Sequence, residues 1–214
     1  MNTNPNAIKV LCFGDSNTWS DDPDRNGRYP ADVRWTGVLQ HNLGANYYVV
    51  EEGLGFRTTD LEYVRKPGRN GKAYLIPCLN SHSPVDIVVL MLGTNDLRIE
   101  FSRTAEDVTN AISGLVNDIR IYGQNKANRS PKIILVSPIV INARAPHFAE
   151  HYSESYDERS AVESQRLGGL LAALAQQLNC EFVDAASVAQ AGDEGIHLNH
   201  ESHALLAAAI QAKI

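Results

Sequence analysis

The sequence predicts an α/β fold, a parallel sheet with helices covering both faces. Two observations carry this. Short apolar runs recur without polar alternation, which suits strands buried on both sides. Between them lie stretches with apolar residues at helical spacing, so strands and helices alternate along the chain. The composition agrees: 43% of the 214 residues are hydrophobic and 21% are charged. A chain of this length buries a core without metal or disulfide staples.

The elements follow in order. Ile8–Phe13 is a first buried strand, running straight into Gly14-Asp15-Ser16-Asn17. Asp21–Asp32 is polar, contains Pro23 and Pro30, and reads as a surface loop. Arg34–Leu43 is helical and ends at Gly44, a C-cap. Tyr47–Val50 is a second strand, followed by a glycine-bearing loop from Glu51 to Asp60. Arg65–Asn80, with Pro67, Gly68, Gly71 and Pro77, reads as a long connection. Asp86–Leu92 is a third strand, ending at Gly93-Thr94-Asn95-Asp96. Thr104–Tyr122 carries Val108, Ile112, Leu115 and Ile119 at helical spacing, and Thr104 with Asp107 resembles a capping box. Lys132–Val136 is a fourth strand, stopped by Ser137-Pro138; Tyr156–Leu178 is a long helix, Glu181–Val183 a short fifth strand and His200–Lys213 a final helix. The whole chain reads as one domain, with residues 1–6 as a flexible tail.

Charge and cysteine usage exclude several function classes. Nineteen basic and 25 acidic side chains leave a formal net charge of −6. That balance argues against a generic nucleic-acid surface and gives no attraction to an anionic membrane. Cys12, Cys78 and Cys180 are spread singly and form neither a disulfide framework nor a CxxC metal site, as expected in a reducing compartment. The start, MNTNPNAIKVLCFG, lacks the pattern of a signal peptide. No run approaches the roughly 20 apolar residues of a membrane helix. A cytoplasmic protein without nucleic-acid or membrane partners is the expectation. GxSxG, GxGxxG and GxxxxGK[ST] are absent, so neither an α/β-hydrolase elbow nor a nucleotide-cofactor anchor is present, and no cofactor or metal is expected.

Right-handed crossovers put the C-terminal ends of parallel strands on one edge, where ligands bind. Ser16 follows strand one, Asn95 follows strand three, and His197 lies in the loop Asp193-Glu194-Gly195-Ile196-His197 before the last helix. Together they supply the parts of acyl transfer. A serine hydroxyl needs a base to take its proton, and His197 is the candidate. A carboxylate beside the imidazole holds its tautomer. The Ser16 backbone N–H and the Asn95 amide are donors for an oxyanion.

At these residues the chain resembles the SGNH hydrolases, also called the GDSL esterase/lipase family. The matching blocks are FGDSNTW (Phe13–Trp19), EEGLGFRTT (Glu51–Thr59), MLGTND (Met91–Asp96) and GIHLN (Gly195–Asn199), in order and spanning nearly the whole chain. Similar stretches around DVRWTGVL (Asp32–Leu39), EEGL-RTT and LGTND mark the bacterial arylesterase/acyltransferase subgroup. The resemblance implies a flavodoxin-like three-layer α/β/α sandwich with a five-stranded parallel sheet, commonly in the order 2-1-3-4-5. It implies Ser16 as nucleophile, His197 as base, and Ser16 N–H, Phe56 N–H and Asn95 as the oxyanion hole. Asp15, Asn17, Trp19, Thr94 and Ile196, beside these residues, are expected to contact substrate. Three positions depart from the family pattern. Asn17 stands where Leu is usual, Phe56 where a small residue is usual, and Glu194 where the acid is normally Asp. Glu194 is the expected triad acid, with Asp193, or a dyad in which water or a backbone carbonyl supports His197, as the alternatives.

The implied activity is a cofactor-independent serine esterase acting on short-chain acyl or aryl esters, with acyl transfer to alcohols or peroxide as a side activity. Carbohydrate O-deacetylation is the alternative within the same chemistry, and a non-catalytic binding module is the alternative outside it. Each residue also has a plainer reading. Ser16 can cap a helix, Asn95 can brace a turn, His197 can lie on the surface, and Trp19, Trp35 and Phe56 can be core. Asp15, Asp96 and Asp184 suit structural acceptors at loop–helix junctions. His147-Phe148-Ala149-Glu150-His151 spells HxxEH, a zinc-peptidase signature, but it follows Ala145-Pro146 in a loop-prone stretch. The subgroup resemblance also implies a homo-oligomer, with the stretches 21–32, 65–80 and 142–155 as candidate contacts.

Overall fold

Strand β1 (Ile8–Gly14) divides the interior in two. Side chains alternate across a strand, so Val10 and Cys12 face one core while Leu11 and Phe13 face the other; all four are fully buried. The computed structural model describes residues 2–22 and 27–214. After β1 come α1 (Ser16–Trp19), a short ribbon of β2 (Asp21–Asp22) and β3 (Gly27–Arg28), α2 (Trp35–Leu43) and β4 (Tyr47–Gly53). Then follow α3 (Gly71–His82), β5 (Ile87–Met91), α4 (Ala105–Tyr122), β6 (Lys132–Ser137), α5 (Phe148–His151), α6 (Glu158–Gln177), β7 (Glu181–Asp184) and α7 (His200–Gln211).

The main sheet is β4-β1-β5-β6-β7, parallel throughout, which is the expected order 2-1-3-4-5. Helices α3, α4 and α6 cover the face of Leu11, Phe13, Val88 and Leu90. Helices α2 and α7 cover the face of Val10, Cys12, Val89 and Met91. The result is the predicted three-layer α/β/α sandwich. Its register aligns Gly14 with Gly53 and Met91, so the loops after β1, β4 and β5 leave the sheet at one level.

Several segments differ from the sequence expectation. The second half of 65–80 is not a connection but helix α3. Leu75, Cys78 and Leu79 are buried at helical spacing, and Asn70 Oδ1 caps the start by accepting from Ala73 N–H at 3.1 Å. Pro77 lies inside α3 and costs it a hydrogen bond, but core burial on one face holds the helix. Helix α6 starts at Glu158 rather than Tyr156, because Asp157 takes the capping-box position with Ser160. Part of the predicted loop 21–32 is the β2–β3 ribbon, pairing Asp21 with Arg28; residues 23–26, including Pro23, lie outside the described residues. Within the predicted tail, Asn2 Nδ2 donates to Ala45 O at 2.9 Å and Tyr47 O at 2.7 Å; Met1 lies outside the described residues. Among the described residues no helix is long and apolar enough to cross a membrane.

Candidate active site

Ser16 sits where β1 gives way to α1. Gly14 lets the chain turn there: a Cβ would lie 2.0 Å from Thr18 Oγ1 and 2.6 Å from Met91 O. Asp15 caps the helix, its Oδ1 accepting from Asn17 N–H at 2.9 Å. Burial pushes the Asp15 pKa up to about 6, against the pull of the Asn17 N–H and the His197 and Arg57 charges.

The loop before α7 brings His197 to Ser16. Gly195 has φ +85, and a Cβ on it would meet Asn142 O at 2.4 Å, so only glycine fits this turn. Asn17 ties the two loops together. Its Nδ2 donates to Ile196 O at 3.2 Å, and its Oδ1 accepts from Leu198 N–H at 2.9 Å. Its own carbonyl accepts from Trp35 Nε1 at 3.0 Å.

His197 Nε2 then lies 2.9 Å from Ser16 Oγ, although 181 positions separate the residues. Glu194 Oε2 lies 3.2 Å from Nδ1 on the other side of the ring. No donor points squarely at Oε2, so this contact is a bent ion pair rather than an aligned hydrogen bond. Glu194 Oε1 accepts from the Ile196 N–H at 3.0 Å and from the His197 N–H, which fixes the carboxylate. Asp193 is exposed, and its carbonyl accepts from His147 N–H at 2.9 Å. Burial opposes the imidazolium, but the close contact and charge of Glu194, aided by Asp21 and Asp15, outweigh it, and the His197 pKa is raised. For Glu194, burial acts upward, yet the His197 contact and two backbone N–H groups win, and its pKa is lowered.

Ser16, Phe56 and Asn95 line one cavity, and each carries a candidate oxyanion donor. Neither the Ser16 N–H nor the Phe56 N–H donates to another described group. Asn95 Nδ2 has two hydrogens; one goes to Arg57 O at 3.1 Å, which leaves one. Asn95 Oδ1 accepts from the Tyr156 hydroxyl at 3.3 Å, which fixes the amide orientation. Phe56 has φ +66, a conformation that a bulky side chain rarely adopts. The ring is held by Lys66 Nζ at 3.8 Å and by Tyr63 at 6.2 Å. Arg57 locks the loop to β1, donating to Gly14 O at 2.8 Å and to Glu52 O.

A cavity of about 50 Å³ opens above these groups. Ser16, Phe56, Asn95, Ile196 and His197 line it, as do Asp21, Gly55, Arg98, Tyr152 and Tyr156. Of the five residues expected to contact substrate, the structure places only Ile196 in the wall. Asp15 and Asn17 are consumed by the cap and the clip just described. Trp19 packs with the Arg28 guanidinium at 5.9 Å, and Thr94 is buried beneath the loop. Trp35 is core. A larger depression of about 450 Å³ beside α2 and β4 is lined by no serine, cysteine or histidine.

Four of the lining residues escape sequence reasoning. Tyr152 reaches back from the 142–155 stretch, its hydroxyl 3.4 Å from His197 Nδ1. Tyr156 lies just ahead of α6. Arg98 is buried, with Nη2 donating to Ser155 Oγ at 2.6 Å and Nε to Glu100 Oε1 at 3.2 Å. Asp21 Oδ2 lies 3.6 Å from His197 Nε2. The available signal was the position of Asp21 just past Ser16 and the Tyr152/Tyr156 spacing, and neither forms a motif.

Behind the loop, Asp96 accepts from Thr59 N–H at 3.0 Å and from Arg103 Nη1 at 3.2 Å, the structural role expected of it. Asp184 likewise caps, accepting from Ala186 N–H at 3.2 Å. Among the described residues His147, Glu150 and His151 of the HxxEH stretch form no group of close metal-type donors, and His147 and Glu150 are exposed. Among the described residues the group with metal-type donors close together is Glu52, Cys78 and His82, within 4.8 Å of one another. His82 Nε2 and Glu52 Oε1 are already paired at 2.7 Å, and the group supplies nothing to Ser16. The three cysteines are free.

The GDSL-like lipase/acylhydrolase family model matches residues 12–205. Among solved structures, the M. smegmatis aryl esterase is 36% identical with a TM-score of 0.85, over 96% of this chain and 97% of that one. Est24, a carbohydrate acetylesterase from Sinorhizobium meliloti, gives the same four figures, 36%, 0.85, 96% and 97%. The lipase/acylhydrolase from Enterococcus faecalis is 17% identical, with a TM-score of 0.69 over 97% of this chain and 95% of that one, a likeness of fold. A comparison with curated proteins found no match.

Proposed function

Because the chain belongs to the GDSL-like lipase/acylhydrolase family and is a carboxylic ester hydrolase, we propose that it cleaves short-chain acyl and aryl esters through an acyl-enzyme on Ser16. The observation that carries this reading is the run Ser16 Oγ–His197 Nε2–Glu194 Oε2, with spacings of 2.9 Å and, at Nδ1, 3.2 Å. Ser16 Oγ attacks the ester carbonyl while His197 Nε2 takes its proton. Glu194 holds the Nδ1–H tautomer and stabilises the imidazolium. The tetrahedral oxyanion forms against the Ser16 and Phe56 N–H groups and the free Asn95 amide hydrogen. His197 returns the proton to the leaving alcohol, and water, taken up the same way, releases the acid. An alcohol or peroxide in place of water gives acyl transfer.

The 50 Å³ cavity supports short acyl groups. The M. smegmatis aryl esterase supports aryl leaving groups, and the S. meliloti carbohydrate acetylesterase supports deacetylation of sugars as a second reading, favoured by the polar Asp21 and Arg98 in the wall. The same reading includes a cytoplasmic homo-oligomer acting on a small ester, supported by the free thiols and the subgroup resemblance. A fluorophosphonate tests it. Stoichiometric labelling of Ser16 with loss of esterase activity, insensitive to EDTA, is the expected result. Activity that persists in fully labelled protein would remove Ser16 from the mechanism.

A further inference from the structure

Asp21 is placed beside the reacting atoms by local chain geometry. The residue before it, Ser20, closes α1 in the left-handed region with φ 69. This turns the chain into the β2–β3 ribbon, where Asp21 pairs with Arg28. Tyr29 N–H donates to Ser20 O at 2.9 Å, and Arg28 Nε donates to Trp19 O, so the base of the ribbon is pinned to the end of α1. Asp21 therefore lines the cavity with Oδ2 3.6 Å from His197 Nε2, and its side chain is 36% exposed.

That nitrogen identifies which part of the substrate Asp21 faces. His197 Nε2 must approach the leaving oxygen to about 2.6–3.2 Å to deliver its proton. A carboxylate 3.6 Å from the same nitrogen borders the alcohol half of the ester rather than the acyl half. A carboxylate only accepts hydrogen bonds. An alcohol part bearing a second hydroxyl on the carbon next to the ester-linked one can donate to Asp21 while its ester oxygen faces Nε2. A purely apolar alcohol part strips water from the carboxylate and returns nothing.

We propose that Asp21 is the specificity-determining residue for the alcohol half of the substrate, selecting esters of vicinal polyols over esters of plain alcohols. This rests on the esterase reading above and adds to it the chemical class of the leaving group.

The test uses two near-isosteric esters, 2-hydroxyethyl acetate and propyl acetate, with the wild type, Asp21→Asn and Asp21→Leu. A hydrogen bond to a charged group corresponds to about ten- to a hundredfold in kcat/KM, so the wild type is expected to prefer the hydroxylated ester by that factor. Asp21→Leu abolishes the preference, and Asp21→Asn, which keeps an acceptor oxygen, retains part of it. Fluorophosphonate titration of Ser16 counts the folded sites in each variant. A wild type that hydrolyses both esters at the same kcat/KM, or an Asp21→Leu variant with the preference intact, overturns the role of Asp21 and leaves the esterase reading standing. A wild type that cleaves no ester, these two or an activated aryl acetate, overturns both.

Discussion

In the proposed mechanism His197 moves the proton, and its surroundings fix how rate depends on pH. The base must be neutral to accept a proton from Ser16. Its pKa is raised above the ordinary histidine value of 6.5, so kcat/KM should rise with pH through a midpoint above 6.5. Glu194→Gln removes the charge that holds the imidazolium. The midpoint then moves to lower pH, while kcat falls by about 10⁴, the loss typical of a disabled triad acid; a pH–rate profile of the variant reads both. Asn95→Ala removes one oxyanion donor and should cost about 10²–10³ in kcat, with KM for a short aryl ester little changed. Ser16, Asn95 and His197 are legible in the sequence because each follows or precedes an element whose apolar run or helical pattern is plain, and because their blocks occur together in order. Asp21, Arg98, Tyr152 and Tyr156 are not. They reach the cavity through a left-handed turn, a buried cation and a folded-back stretch, none of which has a period or a motif.

The clip between α1 and the segment leading to α7 is where local structure meets function at the element scale. Asn17 takes one hydrogen bond and gives another across it, and both groups are buried. Asn17→Ala leaves Ile196 O and Leu198 N–H without partners, at about 1–3 kcal/mol for each unsatisfied group. The expected result is a protein about 2 kcal/mol less stable in urea unfolding, with activity reduced because His197 is no longer held against Ser16. Full activity in a destabilised Asn17→Ala protein would show that the clip serves stability alone. Asn17 is thus a structural bridge, a role that its position beside Ser16 does not reveal. Helix α3 shows a similar limit. Pro77 and Gly71 mark a connection by local rules, whereas Leu75, Cys78 and Leu79 reach a core that only the assembled sheet provides. Helix α4 has no such conflict: its cap, periodicity and burial agree, and its bounds follow from the sequence.

The sheet separates two cores at the scale of the whole molecule, with Ile112 in one and Ile210 in the other. Each Ile→Val change should cost about 0.5–1.5 kcal/mol. Since the two sites share no neighbours across the sheet, the double variant should match the sum within about 0.5 kcal/mol; a larger coupling would mean that the layers move together. The two faces also explain why the architecture is so legible. Non-alternating strands demand cover on both sides, and the alternation of strands with helices supplies it. The substrate is not legible in the same way, because it depends on a cavity of about 50 Å³ assembled from five separate stretches of chain. The Ser16–His197–Glu194 mechanism is tested most directly by the kcat/KM of wild type, Ser16→Ala, Glu194→Ala and Asp193→Ala for p-nitrophenyl acetate with EDTA present. Ser16→Ala is expected to lose activity, Glu194→Ala to lose most of it and Asp193→Ala to stay near normal. Hydrolysis that survives Ser16→Ala would contradict the mechanism, and damage from Asp193→Ala exceeding that from Glu194→Ala would move the acid to Asp193.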